Sequence, residues 1–259
     1  MTDERLGKER AKKWRELTTV KGRRELGLML LDSVNLVREA IELGLVRELA
    51  AVPGRHEEIL AAYRASGGKV LEADEAMLAR ATDVETSAGI AAVAAVPKAC
   101  EAGFFEKEAW TAAYLDQVAD PGNVGTVARA AAAFGVDVLV LSPGSADPFG
   151  PKALRASAGA LLRLPVVWWE RASKEIPELR RARFFRAVVR GGEAVDRVRF
   201  SARSVLWLGN EAHGAGTAPA GIDVVDVTIP MARGTESLNV GAAAAVFFYE
   251  RARALSSRG

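Results

Sequence analysis

Short apolar segments that alternate with helical ones constrain the fold of this chain more than any other feature. In the second half they lie at 112–118, 136–141, 166–169, 185–189, 205–208 and 224–229. Strands that are apolar along most of their length are typical of a parallel sheet whose two faces are covered by helices. Ligands of such sheets bind at the carboxyl ends of the strands. We therefore expect an α/β domain with a binding site at that edge.

The first half contains a smaller set of alternating strands and helices. We expect a basic helical arm over residues 1–20, followed by a small α/β/α domain over residues 21–97. Residues 98–110 have mixed charge and one glycine, and they are predicted to link this domain to a larger one over residues 111–259. The chain is thus predicted to be of the α/β class, with two domains.

Composition excludes several classes of protein. The single cysteine, Cys100, rules out an internal disulfide framework, and two histidines are too few for the usual structural zinc site, so no metal is expected. No apolar run approaches the length of a membrane span, and the first residues lack the apolar core of a signal peptide. We expect a soluble, cytoplasmic protein that does not associate with membranes.

The net charge of +2 conceals a strong segregation of charge along the chain. Residues 1–25 carry a net charge of +4 and residues 151–203 carry +8, whereas residues 26–150 carry −9. Basic blocks of this kind attract a polyanion if they fall on one face of the protein. They are equally compatible with ordinary solvated helix surfaces, so charge alone does not decide between the two interpretations.

Three loops that follow predicted strands carry more polar residues than a simple connection needs. The first has the sequence D-P-G-N-V-G-T-V-A-R over residues 120–129. Its glycines allow the backbone to approach another group closely, Asn123 is predicted to cap the following helix, and Arg129 lies nearly two turns into that helix. The G-x-G-x-x-G spacing of dinucleotide sites is absent, which argues against a nucleotide-dependent oxidoreductase.

The other two loops follow the last two predicted strands. One, G-N-E-A-H-G over residues 209–214, places Glu211 directly after a strand. The other includes residues 229–239, where Ser237 is predicted to cap the terminal helix and Asn239 to lie in its first turn. Small residues leave that helix slim, so that other backbone can pack closely against it. Taken singly, these features are also typical of ordinary turns and helix caps.

Taken together, the three loops form an ordered set of motifs: N-x-G-x-x-x-R, then G-x-E-x-x-G, then I-P-M followed by S-L-N-V-G-A-A. This set resembles the three motifs of the SpoU/TrmH family of S-adenosylmethionine-dependent RNA ribose 2′-O-methyltransferases. The resemblance covers about residues 112–252, and residues 152–160 are similar to the family's connecting segment. It implies S-adenosylmethionine as cofactor, a homodimer, and a deep trefoil knot in the larger domain, which is a rare exception to unknotted topology.

The resemblance also implies roles for individual residues. The reaction site would be formed by Asn123, Arg129, Glu211, Ser237 and Asn239. The cofactor would contact Leu208, Gly209, Ile229, Met231, Leu238 and Val240. Arg129 is the family's proposed proton acceptor, but a free guanidinium does not titrate usefully. Two roles therefore stay open for it: a perturbed base, or a cation that stabilises the phosphate and the developing alkoxide.

The N-terminal half resembles the small RNA-binding domain, related to kink-turn-binding ribosomal proteins, that accompanies the catalytic domain in ribosomal-RNA members of the family. The segments K-G-R-R (21–24) and A-G-I (88–90) carry this similarity, whereas L-D-S (31–33) departs from an acidic-glycine pair found in many members. Phosphate contacts give affinity with little sequence information. The candidates are Arg23, Arg24, Lys152, Arg155 and Arg163, with ordinary surface charge as the alternative.

These observations predict an enzyme that methylates the 2′-hydroxyl of a ribose in structured RNA. Ribosomal RNA is favoured over transfer RNA because of the N-terminal domain. The main alternative is a catalytically silent RNA-binding or ribosome-assembly protein on the same fold, against which the intact motif residues argue. The terminal helix, with Phe247 and Phe248, is predicted to supply either the dimer interface or intramolecular core.

Overall fold

A computed structural model describes residues 4–210, 213–217, 221–234 and 236–256 of the chain. The chain divides into two compact units. The first comprises Met1–Pro97 together with Asp147–Leu162, and the second comprises Lys98–Ala146 together with Arg163–Gly259. The segment between residues 147 and 162, which belongs to the second half of the sequence, is therefore part of the first unit.

The first unit is built on a four-stranded mixed sheet with the strand order β1-β4-β2-β3. Strand β4 pairs antiparallel with β1 and β2, and β3 pairs parallel with β2. The strands are β1 (Leu28–Leu31), β2 (Val46–Ala51), β3 (Val70–Glu72) and β4 (Ile90–Ala95). The helices are α1 (Lys8–Glu16), α2 (Val20–Leu26), α3 (Val34–Glu42), α4 (Glu57–Ala65) and α5 (Glu75–Thr82).

The predicted basic arm packs into the core of the first unit. Helix α1 buries Trp14, which joins Leu17, Leu30 and Leu78 in one apolar cluster. The indole N–H of Trp14 donates to Glu48 Oε2 at 2.6 Å. Burial of these large side chains stabilises the arm, because each contributes about 1.5–3 kcal/mol relative to exposure.

Two short helices carry the segment that joins the first unit from further along the chain. These are α7 (Pro151–Ser157) and α8 (Ala160–Arg163), and α7 packs against β1. Ion pairs among the described residues help to hold the segment, including Arg23 with Asp147, at 2.7 Å, and Arg155 with Asp32.

The second unit is built on a seven-stranded sheet in which every pairing is parallel, as the apolar segments predict. The strand order is β7-β6-β5-β10-β8-β11-β9. The strands are β5 (Trp110–Leu115), β6 (Val138–Leu141), β7 (Val166–Trp168), β8 (Arg183–Ala187), β9 (Glu193–Ala194), β10 (Arg203–Leu208) and β11 (Val224–Thr228). The helices are α6 (Pro121–Ala133), α9 (Trp169–Glu175), α10 (Pro177–Arg181) and α11 (Val240–Ser256).

The strand order determines which loops meet at the carboxyl edge of this sheet. Strand β10 lies between β5 and β8, and β11 lies on the other side of β8. Parallel strands all present their carboxyl ends at the same edge. The loop before α6, which follows β5, therefore leaves the sheet at the same edge as the loops that follow β10 and β11, and these are the three motif-bearing loops.

The predicted linker is part of the second unit. A 3₁₀ turn, Ala102–Glu106, buries Phe105, whose ring stacks edge-on against Trp110 with centroids 5.0 Å apart. Trp110 also donates its indole N–H to the carbonyl of Phe105 at 3.1 Å. Strand β5 consequently begins at Trp110, earlier than the expected start near residue 112.

Within the described ranges, no helix combines the length and the apolar character needed to cross a membrane.

Candidate active site

The starts of helices α6 and α11 lie together and bring two motif residues into contact. Asn239 Nδ2 donates to Asn123 Oδ1 at 3.2 Å, although the two residues are 116 positions apart in the chain. Asn239 Oδ1 accepts the backbone N–H of Gly241 at 2.9 Å, so the same side chain also caps α11. The contact fixes both amide groups at the start of two helices.

The helix caps differ from those predicted. Asp120 caps α6 by accepting the N–H of Asn123 at 3.0 Å, with Pro121 in the first turn. Asn123 is therefore a residue of the first turn and not the cap. Likewise, α11 begins at Val240 behind Asn239, and Ser237 is exposed and precedes the cap. Ser237 therefore does not cap this helix.

Helices α6 and α11 approach each other closely because small residues face one another. A Cβ atom on Gly241 would lie 2.6 Å from Cγ2 of Thr126, well inside van der Waals contact. Gly125 and Gly241 are both buried. The slim terminal helix expected from the sequence thus allows the close approach on which the Asn123–Asn239 contact depends.

Arg129 lies on α6 with an exposed side chain. The ion pairs among the described residues do not include it. A guanidinium carries its positive charge across the physiological pH range. Arg129 therefore presents a cation to solvent, about 1.7 helical turns beyond Asn123.

The loop after β10 folds back on itself at Gly209. A Cβ atom at this position would lie 2.0 Å from the backbone nitrogen of Ala215, so only glycine fits. Asn210 and Gly214 exchange both backbone hydrogen bonds, at 3.0 and 2.8 Å, and Asn210 Nδ2 donates to the carbonyl of Gln117 at 2.8 Å. Glu211, the predicted acidic residue of this loop, lies outside the described residues.

The predicted cofactor residues differ in solvent exposure. Leu208 and Val240 are buried, Ile229 and Met231 are half-buried, and Leu238 is 39% exposed. The three half-buried or exposed side chains leave apolar surface available to a flat ring. Leu208 packs into the sheet, and its carbonyl accepts the N–H of Asp116 at 2.8 Å.

Two polar residues near the loop were not among the predicted site residues. Asp116 directly follows β5 and is only 7% exposed, and Arg186 lies in β8. Burial, together with the charge of Asp116, raises the pKa of the Tyr114 phenol far above its ordinary value. A carboxylate at the end of an apolar strand, one turn before the first motif, was the available sequence signal for Asp116.

The candidate RNA contacts fall into two groups. Arg24, Lys152, Arg155 and Arg163 have exposed side chains. Arg23 does not: it is 4% exposed, it pairs with Asp147, and it donates to the carbonyl of Leu17 at 2.7 Å. A phosphate contact by Arg23 is therefore wrong for this structure, because its guanidinium is already satisfied inside the first unit.

Comparison with known families agrees with this geometry. The model described as the SpoU rRNA methylase family matches residues 111–249, and the model described as the MRM3-like substrate binding domain matches residues 8–92. A Bacillus subtilis relative, the 23S rRNA (guanosine(2553)-2′-O)-methyltransferase RlmP, is 32% identical over 248 residues, covering 93% of this chain and 95% of the relative.

Solved structures resemble the whole chain as well. The SpoU methyltransferase AviRb from Streptomyces viridochromogenes, in complex with AdoMet, is 25% identical with a TM-score of 0.83, covering 97% of this chain and 99% of AviRb. An AdoMet-bound rRNA methyltransferase from Sinorhizobium meliloti is 26% identical with a TM-score of 0.82, covering 97% of each chain. The similarity to AviRb confirms the predicted knotted α/β class of the second unit. The SpoU family model matches more than half of this chain, and RlmP is similar to the chain along nearly the full length of both proteins. The chain therefore belongs to the SpoU rRNA methylase family.

Proposed function

We propose that this protein transfers a methyl group from S-adenosylmethionine to the 2′-hydroxyl of a ribose in ribosomal RNA. The observation that carries the proposal is the Asn123–Asn239 contact, which joins two of the three motifs at the carboxyl edge of the sheet. RlmP, similar to this chain along almost its whole length, is a 23S rRNA 2′-O-methyltransferase.

The residues at this edge fit an adenosyl cofactor. Gly209 packs directly against the backbone of Gly214 and Ala215, where a Cβ would clash, and the side chains of Ile229, Met231 and Leu238 leave apolar surface open. Small-molecule sites combine such apolar walls with a few oriented polar groups. Leu208 and Val240 form the buried backing of the same loops. When bound, S-adenosylmethionine supplies a methyl group that its positively charged sulfur already activates.

The polar residues of the motifs would act on the ribose. A ribose hydroxyl is a weak nucleophile at neutral pH, so its proton must leave as it attacks the methyl group. Asn123 and Asn239 would orient the ribose by hydrogen bonds, with Ser237 and Glu211 as further partners. Arg129 would stabilise the developing alkoxide and the adjacent phosphate as a cation while the proton passes to water, or it would accept the proton as a perturbed, neutral base. Holding the reacting groups in line supplies much of the acceleration.

The first unit would hold the RNA. It matches the MRM3-like substrate-binding model, and it carries Arg24, Lys152 and Arg155 with exposed side chains, while Arg163 adds a fourth exposed cation at the start of the second unit's later segment. Each phosphate contact that is removed should weaken RNA binding and reduce the salt slope by about one. Titrations of Arg24→Ala and Lys152→Ala variants at several salt concentrations measure this.

A homodimer is part of the proposal, but the predicted aromatic pair does not supply its interface. Phe247 and Phe248 are fully buried inside the chain itself. The same helix exposes Val246 and Tyr249, and the Tyr249 ring lies edge-on to Phe134, the residue that follows α6, with centroids 5.8 Å apart. This apolar strip on α11 and at the end of α6 is the surface that a second copy would cover, which sedimentation of Val246→Asp against wild type would test.

The decisive experiment uses labelled cofactor and separated RNAs. Radiolabelled S-adenosylmethionine is incubated with the protein and with 23S rRNA, 16S rRNA or tRNA from a strain that lacks the gene, and the labelled ribose is mapped. We expect label at one 2′-oxygen of ribosomal RNA. Label in tRNA alone would contradict the ribosomal assignment, and cofactor binding without any label would indicate a silent RNA-binding protein.

A further inference from the structure

We infer that Asp116 and Arg186 are positioning residues that hold the loop after β10 in the shape that receives the cofactor. The inference rests on the proposed function and concerns two residues that lie outside the three motifs. We refer to Asp116, Arg186 and the backbone of Gly216 as the loop clamp.

In the clamp, two side chains satisfy both backbone polar groups of Gly216, its N–H and its carbonyl. The N–H of Gly216 donates to Asp116 Oδ2 at 2.8 Å, and its carbonyl accepts from Arg186 Nη1 at 2.9 Å. Asp116 follows β5 and Arg186 lies in β8, the two neighbours of β10. Hydrogen bonds from both sides of β10 therefore hold Gly216, a residue of the loop that follows this strand.

The anchor on the β5 side is fixed by the core. Asp116 Oδ2 also accepts the indole N–H of Trp207 at 3.2 Å, and Trp207 is only 2% exposed. The guanidinium of Arg186 covers the same indole, with its central carbon 5.5 Å from the ring centroid. Trp207 is packed among the apolar side chains of β10 and its neighbours. It therefore fixes the positions of Asp116 and Arg186 relative to each other.

The anchor on the β8 side uses the full fork of the arginine. Arg186 Nε donates to Asp226 Oδ1 at 2.7 Å and Nη2 donates to Asp226 Oδ2 at 3.0 Å, which leaves Nη1 for Gly216. A lysine has a single donor centre and cannot serve both partners in this geometry. The polar chain thus crosses β5, β10, β8 and β11 in order.

The clamp acts on the predicted cofactor contact through the neighbouring peptide. Ala215 precedes Gly216, and its backbone nitrogen lies against Gly209, where a Cβ would approach to 2.0 Å. The Asn210–Gly214 bridge closes the loop between them. These contacts hold the described residues of the loop, 209–210 and 213–217, in place without a ligand, whereas a released loop would have to be ordered on binding, at the expense of affinity.

The test compares clamp variants with a matched pair elsewhere on the same strand. Asp116→Leu removes the acceptor of Gly216, Asp116→Asn restores an acceptor of the same shape, and Arg186→Lys removes the bidentate fork. The control is Arg183→Lys, because Arg183 opens β8 at the opposite end and pairs with Asp223 at 3.2 Å. Binding of S-adenosylhomocysteine is measured by calorimetry, and backbone amide exchange is followed in the free and bound protein.

We expect Asp116→Leu and Arg186→Lys to raise the Kd for S-adenosylhomocysteine at least about tenfold, with partial recovery in Asp116→Asn and less than about a twofold change in the control. Backbone amide exchange should be faster at residues 209–217 in the free variants than in the wild type, and it should slow again when the ligand binds. The exchange rates of β5 and β10 should be unchanged. Arg186 is partly exposed, so Arg186→Lys keeps the test valid if Asp116→Leu does not fold.

Two results would overturn the inference. Unchanged Kd in Arg186→Lys and in a folded Asp116→Leu variant, beside normal binding by the wild type, refutes the clamp and leaves the proposed function intact. Faster exchange throughout the second unit in these variants would show that the residues stabilise the fold and do not position the loop. If the wild type itself fails to bind S-adenosylhomocysteine, the proposed function is wrong, and the inference falls with it.

Discussion

The side-chain amide of Asn239 joins two helix starts, because it donates to Asn123 Oδ1 at 3.2 Å while its own oxygen accepts the N–H of Gly241 at 2.9 Å. One residue thus ends the third motif loop, caps α11 and orients a residue of the first motif. These duties use different atoms: the oxygen serves the cap and the nitrogen serves the contact with Asn123. Substitution can therefore separate the stabilising role from the proposed role in the reaction.

We expect Asn239→Asp to lower kcat about tenfold, equivalent to about 1.4 kcal/mol, without loss of stability. Aspartate keeps the cap acceptor for Gly241 but has no amide hydrogen to donate to Asn123. Asn239→Ala, which removes both functions, should lower kcat and also cost about 1 kcal/mol of unfolding free energy. Steady-state kinetics and urea unfolding check the pair; equal kcat in Asn239→Asp and wild type would contradict the role in orientation.

Arg129→Ala should lower kcat about 10²–10³-fold while leaving the Kd for S-adenosylhomocysteine unchanged, because its cation would act on the developing alkoxide and not on the cofactor. Arg129→Lys separates the open roles. A lysine that restores most of kcat indicates that positive charge suffices. Arg80→Ala, an exposed arginine on α5, is the control. Near-normal methyl transfer by Arg129→Ala would remove Arg129 from the reaction site.

The parallel sheet could be predicted from the sequence because its cause is local. Each buried strand is apolar by composition, and the motif loops follow β5, β10 and β11 directly. The helix caps were less predictable, since Asp120 and Asn123 are both good capping residues and only the backbone path decides between them. The sequence predicts a linker over residues that include Phe105 and Trp110, because their edge-to-face contact, 5.0 Å between centroids, is a tertiary contact that local pattern does not show.

Contacts between distant residues account for what the sequence could not show. Arg23 reads as a surface cation in a basic run, yet it is buried against Asp147, 124 positions away. The clamp on Gly216 likewise depends on the strand order β5-β10-β8-β11, which periodicity does not define. Local pattern therefore predicts which loops carry the motifs, while long-range pairing decides which charged residues are buried or paired.

Gly241→Ala should destabilise the protein by about 1–3 kcal/mol, because the added methyl would lie 2.6 Å from Cγ2 of Thr126. The same clash would push α11 away from α6 and lengthen the Asn123–Asn239 contact, so kcat should fall as well. Thr126→Ala in the same chain should restore part of both losses. Thermal unfolding and kinetics of the two single variants and the double variant measure the coupling; simple additivity would contradict it.

Arg23→Met should cost about 3–5 kcal/mol of unfolding free energy, because it leaves the Asp147 carboxylate, whose side chain is only 14% exposed, without its cation. The matched control is Arg15→Met, since Arg15 and Asp83 form a pair of the same chemistry in the same unit with both side chains more than half exposed. That loss should be at most about 1 kcal/mol. Urea unfolding followed by circular dichroism compares the two variants. Similar losses of unfolding free energy in both would show that burial does not determine the contribution of the ion pair.

Asp32 should make the unfolding free energy of the wild type decrease as pH rises. The Asp32→Asn variant should lack this contribution. Its side chain is 3% exposed; one oxygen pairs with Arg155, and Oδ1 has no hydrogen-bond partner among the described residues. Burial raises the pKa of this carboxyl above its ordinary value, although the charge of Arg155 opposes the shift.

A carboxyl whose pKa is higher in the folded than in the unfolded state binds its proton more tightly when folded. Its contribution to stability is therefore fully present below the unfolded pKa of about 3.9 and is lost as pH rises through the folded pKa. The unfolding free energy of wild type minus that of Asp32→Asn should consequently decrease from about pH 4 toward pH 7. Urea unfolding of both proteins at several pH values measures this difference, and an increase with pH would mean that Arg155 outweighs burial at this site.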